Sequence, residues 1–225
     1  MLTGMARTSG GRLIAAIIVG AIAVPLSGCL YAQIPSDPVV VDEPVDEPVD
    51  EPAEEPSGSL PSTLSFADGT ALPATAYVEW GDGFFADDGW TVEQPDDGNG
   101  GWSYRTIDGT CLAQFWQGLI PDVPVVDGDD GISSDAMLAV ILGDAATADI
   151  TPVATTGGFA YQSSGNTDVE NRQVTGQEGE RVWIMAARAF TATGVGVYVI
   201  VDCTGGDAAA VMAEVVAANA IVVTE

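Results

Sequence analysis

The chain has 225 residues and carries 33 acidic side chains against six arginines, which gives a formal charge of -27. This length suits one domain with appendages. The charge argues against nucleic acid as a partner and against electrostatic adhesion to an anionic membrane. Lysine and histidine are absent, which removes Schiff-base chemistry and the usual general base at neutral pH.

The first 28 residues are typical of an export signal. Arg7 and Arg12 precede an apolar run over residues 13–24, which ends at Pro25. This run is shorter than the roughly 18 apolar residues that favour a membrane-spanning helix. We therefore interpret residues 1–28 as a signal peptide, with a retained membrane span as the alternative.

The tetrad LSGC, which ends at Cys29, follows the apolar run. It resembles the lipobox of bacterial lipoproteins. In that family the cysteine receives a diacylglycerol thioether and, after cleavage, becomes the N-terminus. The resemblance implies that Cys29 is the lipidation site and that the bilayer is a partner through its acyl chains. Two acyl chains suffice for stable anchoring, so we expect the protein at the extracytoplasmic face of the cell membrane.

Residues 29–61 form an acidic linker rich in proline. Three VDEP tetrads and one AEEP place a proline at every fourth position between Val41 and Pro56. Proline at this spacing blocks helix and sheet ladders, so a semi-rigid spacer that lifts a domain off the membrane is expected. The alternative is a proline-rich docking ligand. It is disfavoured because the prolines stand at PxxxP spacing and the single PxxP, from Pro35 to Pro38, has no basic neighbour.

Residues 62–225 are predicted to form one α+β domain, with a mainly antiparallel sheet and flanking helices. Strands occur in runs, with helices between and after them. Apolar alternation and turn residues predict strands at 89–95, 102–107, 111–117, 181–203 (two strands) and 221–224, and shorter ones within 157–163 and 169–176. Helices are predicted over 133–146, with Ser133 or Ser134 as the N-cap, and over 206–220.

This layout resembles the PsbP-like fold, which recurs in actinobacterial lipoproteins of unassigned role. The resemblance rests on Gly89–Val92, on the long hairpin from Arg181 to Cys203 and on the closing segment AEVVAANAIVV, and it spans Phe85 to Glu225. It implies a protein-binding role more often than a catalytic one and transfers no functional residue. The segment SFADGTALPATAYVEWGDGFF departs from the pattern and is expected to be an extra strand or an ordered extension.

Cys111 and Cys203 are the thiols that remain once Cys29 is acylated. Alternation places each of them on a strand face with apolar neighbours. Because an exported domain favours oxidation, we predict a Cys111–Cys203 disulfide, with two buried free thiols as the alternative.

The densest acid cluster is DGDDG at residues 127–131, in which Asp127, Asp129 and Asp130 are candidate Ca²⁺ ligands. The pattern fails as an EF-hand. Counted from Asp127, its sixth position is Ile132 where glycine is required, and its twelfth is Leu138 where glutamate is required. The alternative is a solvated loop before a helix N-terminus, which favours acids. A weaker version of the same idea involves Asp82, Asp87 and Asp88. Apart from Ca²⁺, no cofactor is expected.

The function expected from these patterns is a non-enzymatic binding or adaptor module with an envelope protein as its partner. Tryptophans at positions 80, 90, 102, 116 and 183 are the candidates for a recognition surface, although a core or half-core position is favoured for each of them, because aromatic residues carry much of the burial in small sheets. The four arginines of the domain, among which Arg188 lies on an expected central strand, are predicted to form structural ion pairs. A less favoured alternative is a hydrolase of envelope polymers that uses paired carboxylates and aromatic platforms: Asp87, Asp88, Trp90 and Trp102.

Overall fold

A computed structural model describes residues 60–96, 98–143 and 145–225 of the chain. The predicted signal peptide, the lipidation site at Cys29 and the linker as far as residue 59 lie outside the described residues. Among the helices that the model describes, none is both long and apolar enough to cross a membrane.

A seven-stranded antiparallel sheet forms the centre of the domain, in the order β2-β3-β4-β8-β7-β6-β5. Every neighbouring pair in it is antiparallel, which confirms the predicted α+β class with a mainly antiparallel sheet and flanking helices. Its strands are β2 (Trp90–Gln94), β3 (Gly101–Thr106), β4 (Cys111–Leu119), β5 (Thr155–Phe159), β6 (Val169–Glu178), β7 (Arg181–Phe190) and β8 (Val195–Thr204).

The predicted strand at 221–224 is present. It pairs with a strand from the segment SFADGTALPATAYVEWGDGFF, for which an extra strand or an ordered extension is expected. β1 (Tyr77–Trp80) pairs antiparallel with β9 (Ile221–Thr224) in a separate two-stranded sheet. A 3-10 turn follows β1 at Phe84–Ala86. The helices are α1 (Phe66–Gly69), α2 (Asp130–Ile141), α3 (Thr147–Ile150) and α4 (Ala208–Ala218).

The large sheet buries apolar side chains on both faces. The alternating row from Val195 to Cys203 on β8 is buried in a core shared with α4 and the small sheet. The opposite face packs against α2 and α3 through a smaller core that includes Met137, Leu138 and Val174. α2 lies over β7 and β6.

The predicted disulfide is present. Cys111 and Cys203 are directly opposite each other in the β4–β8 register, and both side chains are buried. The bond therefore joins two strands that already share a ladder.

The predicted start of the helix over 133–146, which is α2 in the structure, is wrong by a few residues. α2 begins at Asp130, and its N-cap is Asp129, whose carboxylate accepts a hydrogen bond from the backbone N–H of Ile132 at 2.9 Å. Ser133 and Ser134 are buried inside the helix instead. The Ser134 hydroxyl donates to the Asp130 carbonyl and accepts from the backbone N–H of Ala189, so it joins α2 to β7.

Candidate functional site

Each of the four arginines in the described residues is paired with one carboxylate. The predicted structural ion pairs are therefore confirmed, and the described part of the chain contains no arginine without an acidic partner. The pairs are Arg105–Glu93 at 2.9 Å, Arg172–Asp135 at 2.7 Å, Arg181–Asp202 at 2.6 Å and Arg188–Asp130 at 2.7 Å.

The Arg188–Asp130 pair is buried at the centre of the domain, with both side chains at 0 % exposure. The guanidinium also donates to the backbone carbonyls of Ser65 and Glu170. The second carboxylate oxygen of Asp130 accepts from the N–H and the hydroxyl of Thr191. Burial lowers the pKa of Arg188 to about 10, so the side chain stays charged at neutral pH.

This arrangement disperses the predicted Ca²⁺ ligands. Asp130 points into the core, Asp129 caps α2, and Asp127 is exposed. Among the described residues, no group of three or more His, Cys, Asp or Glu side chains is placed to hold a metal ion. Asp129 and Asp130 therefore serve the start of α2 and its anchorage to β7.

A groove of about 450 Å³ lies on the α2 side of the sheet, and we call it the sheet-face groove. It forms where α2 packs mainly on β7 and β6 and covers β4 and β8 only in part. Its lining is mainly apolar, with one carboxylate and one phenol, and comprises Trp116, Leu119, Ile120, Pro121, Asp122, Val123, Met137, Val140, Ile141, Tyr198 and Ile200.

The floor of the sheet-face groove is an aromatic pair. Trp116 on β4 is opposite Tyr198 on β8, and the rings stack with centroids 5.4 Å apart. Both side chains are half-buried, and burial raises the pKa of Tyr198. The Trp116 ring also lies over Gly118, where a Cβ would stand 2.9 Å from the ring. Glycine at this position therefore lets the indole lie flat.

A second cavity, of about 340 Å³, lies on the opposite face of the sheet, and we call it the aromatic cleft. Its position follows from β4, because adjacent residues of a strand face opposite sides of the sheet. Trp116 lines the sheet-face groove, and the next residue, Gln117, lines the cleft. Its lining combines aromatic rings, two carboxylates and two amides: Trp80, Asp82, Phe85, Val92, Gln94, Pro95, Asp96, Trp102, Tyr104 and Gln117.

Hydrogen bonds fix the walls of the aromatic cleft. The Tyr104 hydroxyl donates to the Asp82 carboxylate, at 2.8 and 2.7 Å from its two oxygens. The backbone N–H of Trp80 donates to the Gln117 side chain at 2.7 Å. The Trp102 ring stacks on Phe115 with centroids 5.4 Å apart. Burial, followed by the Asp82 carboxylate, raises the pKa of Tyr104, so its phenol remains a neutral donor at neutral pH.

The carboxylates and tryptophans suggested for a hydrolase are not brought together. Trp90 is buried, stacks on Phe84 and donates its indole N–H to Glu214 at 2.8 Å. Asp87 and Asp88 are exposed outside both cavities. Trp102 lies instead in the aromatic cleft.

Sequence reasoning missed several residues of the cleft, Phe85, Asp96 and Gln117 among them. Alternation along β3 does place Trp102 and Tyr104 on one face. It carries no signal for the loop after β1, which contributes Asp82 and Phe85 to the cleft.

No protein-family model and no curated protein matches the chain. A protein of known crystal structure from Bacteroides thetaiotaomicron VPI-5482 is similar at 11% sequence identity, with a TM-score of 0.33. The match covers 59% of this chain and 42% of that chain, so it spans less than half of the length of the Bacteroides protein. The resemblance to lipoproteins and to the PsbP-like fold stays a prediction.

Proposed function

We propose that the protein is a membrane-anchored extracytoplasmic lipoprotein and a non-enzymatic adaptor. In this proposal Cys29 carries the acyl chains, residues 29–61 hold the domain away from the bilayer, and the sheet-face groove docks an envelope protein. The observation that carries the adaptor role is the half-exposed Trp116–Tyr198 pair at the floor of an open apolar groove.

The groove has the composition of a protein-docking surface. Aromatic residues and methionine are enriched at the buried centre of protein interfaces, and charged residues are depleted there. Trp116, Tyr198 and Met137 supply the former, and Asp122 is the single charged residue of the lining. Leu119, with 70% of its surface exposed, stands at the rim and offers an apolar contact to a partner.

The charge of the domain defines the partner further. Residues 60–225 contain 24 acidic residues and four arginines, which gives a net charge of -20. Each of these arginines already has a carboxylate partner. A partner with a basic surface around an apolar contact is therefore attracted, because complementary potentials raise association rates and suppress wrong partners.

The proposal is tested by photo-crosslinking in intact cells. A photoreactive amino acid replaces Leu119 at the groove rim in one strain and Val153 in another. Val153 is a matched control, because it is also apolar and 64% exposed but precedes the edge strand β5 at the far side of the sheet. We expect one dominant envelope protein to be captured from position 119 and not from position 153.

The Cys29→Ala change tests the anchor separately. Because it removes the acylation site, an alkyne-tagged fatty acid fed to the cells should label the parent protein and leave the variant unlabelled. Equal and scattered adducts from positions 119 and 153 would overturn the adaptor role. Equal labelling of the parent and the variant by the fatty acid, or labelling of neither, would overturn the lipid anchor.

A further inference from the structure

The aromatic cleft presents acceptors and ring surfaces toward solvent. Asp82 and Asp96 are exposed carboxylates at its border, and Phe85, at 79% exposure, projects beside them. Trp102 is half-buried and stacks with one face on Phe115. Aromatic surface and negative charge thus meet in a cavity at the small end of the range for ligand pockets.

Two polar donors at the cleft are used inside the protein. The Trp80 indole N–H donates to the Trp116 carbonyl at 3.2 Å, and the Tyr104 hydroxyl donates to Asp82. The carboxylates keep acceptor sites, because an ionised carboxylate has about four lone-pair positions. Asp82 accepts from Tyr104, and Asp96 accepts from the backbone N–H of Gly98 at 2.8 Å.

Among the residues that the structure describes, no cationic side chain lines this cleft. The four arginines of the described residues are all held in ion pairs, and Asp82 and Asp96 belong to none of those pairs. An anion would be repelled by both carboxylates. A cation with apolar substituents would be attracted by both carboxylates and also by the negative faces of the aromatic rings.

We propose that the aromatic cleft binds an organic ammonium group. Asp82 and Asp96 act as its counter-ions, and the rings of Trp102 and Phe85 contact its alkyl substituents. Tyr104 orients Asp82 through its hydrogen bond. The source of the ammonium is a free small amine or a lysine side chain of a polypeptide, since both present the same chemistry. This site is separate from the sheet-face groove, so its failure would leave the adaptor proposal standing.

The first test compares two probes of equal shape with the full chain in detergent micelles. Choline chloride and its neutral carbon isostere, 3,3-dimethyl-1-butanol, are titrated at fixed ionic strength, with tryptophan fluorescence and calorimetry as readouts. We expect choline to saturate and to bind at least about tenfold more tightly than the isostere, the order of a cation–π contact combined with a counter-ion. Equal affinities, or no saturation by choline, would overturn the proposal.

Three variants assign choline binding to the cleft. Asp82→Asn should weaken it about tenfold, and Phe85→Ala should weaken it several-fold, because each removes one contact from an exposed position. Asp88→Asn removes the same charge from the same loop, outside the cleft lining, and should change affinity by less than about twofold. Equal weakening by Asp82→Asn and Asp88→Asn would show a general field effect and overturn the site.

A competition experiment then separates the two sources of the ammonium. A short neutral peptide with one central lysine is added to the choline complex, and the same peptide with glutamine in place of lysine is the control. Displacement by the lysine peptide alone supports a polypeptide cation as the ligand. Displacement by neither peptide supports a free amine. Equal displacement by both peptides would contradict recognition of the ammonium.

Discussion

Removal of the Cys111–Cys203 disulfide should lower the stability of the domain by an amount set by the loop that it closes. The two cysteines are 92 residues apart in sequence. In the chain-entropy model, a loop of this length stabilises the folded state by about 4 to 5 kcal/mol, because the bond restricts the unfolded chain. The cysteines are also direct partners in the β4–β8 ladder, so reduction leaves the strand pairing in place.

The assays are urea unfolding and thermal unfolding of the Cys29→Ala protein, oxidised and reduced, and the substitution ensures that no third thiol reacts. We expect the reduced protein to lose about 4 kcal/mol and its melting temperature to fall by roughly 10 to 15 °C, given about 2–4 °C per kcal/mol for a domain of this size. The m-value should rise, because the unfolded chain expands. The Cys111→Ala/Cys203→Ala variant should be slightly less stable still, since it also loses two buried sulfur atoms. A loss below about 1 kcal/mol on reduction would refute the loop-entropy account.

Three further predictions concern the core, the first hairpin and the tyrosines. Arg188→Met should cost about 3–5 kcal/mol because it leaves the Asp130 carboxylate buried without a counter-ion, and Arg188→Met/Asp130→Asn should recover much of the loss in urea unfolding. A double variant as unstable as the single one would show that packing, and not charge, is lost. Gly98 and Gly100 both have positive φ, at 85° and 79°. A Cβ at Gly100 would collide with the Gln117 carbonyl, whereas a Cβ at Gly98 would meet open space. Gly100→Ala should therefore lower the melting temperature more than Gly98→Ala. Equal losses would contradict this close approach. The pKa values of Tyr104 and Tyr198 are raised above the ordinary 10.0. Above about pH 10 the unfolded chain therefore releases phenol protons that the folded protein still holds. The two tyrosines then lower the free energy of unfolding as pH rises through this range. Urea midpoints at about pH 9 and about pH 11 should therefore differ less in Tyr104→Phe/Tyr198→Phe than in the parent, and an unchanged difference would refute the assignment.

The sheet is predictable from sequence because its signal is local. The alternation from Val195 to Cys203 repeats every two residues, and the structure buries that row. The disulfide is predictable for a related reason: burial of both thiols follows from alternation, and few pairings are possible. These inferences need no knowledge of how distant segments meet.

The candidate sites depend on contacts that alternation does not encode. Asp130 belongs to the DGDDG segment, whose composition suggests a solvated or Ca²⁺-binding loop, but the structure places it at the start of α2, and its partner, Arg188, lies 58 residues further along the chain. The predicted start of α2 is wrong because Asp129, Ser133 and Ser134 are all favourable caps, and the tertiary contact of Ser134 with Ala189 decides between them. The sheet-face groove exists because α2 packs mainly on two strands and covers their neighbours only in part, which is a property of topology.

Strand β4 joins the two proposed binding surfaces. Its successive residues Trp116 and Gln117 face the groove and the cleft, and its first residue is the disulfide Cys111. Coupling between two sites requires an element with two arrangements that both ligands bias. β4 is hydrogen-bonded on both edges, to β3 and to β8, and is covalently fixed at its start. Because these bonds hold β4 on both edges and at its start, we expect no second arrangement of the strand, and the two proposed ligands should therefore bind independently.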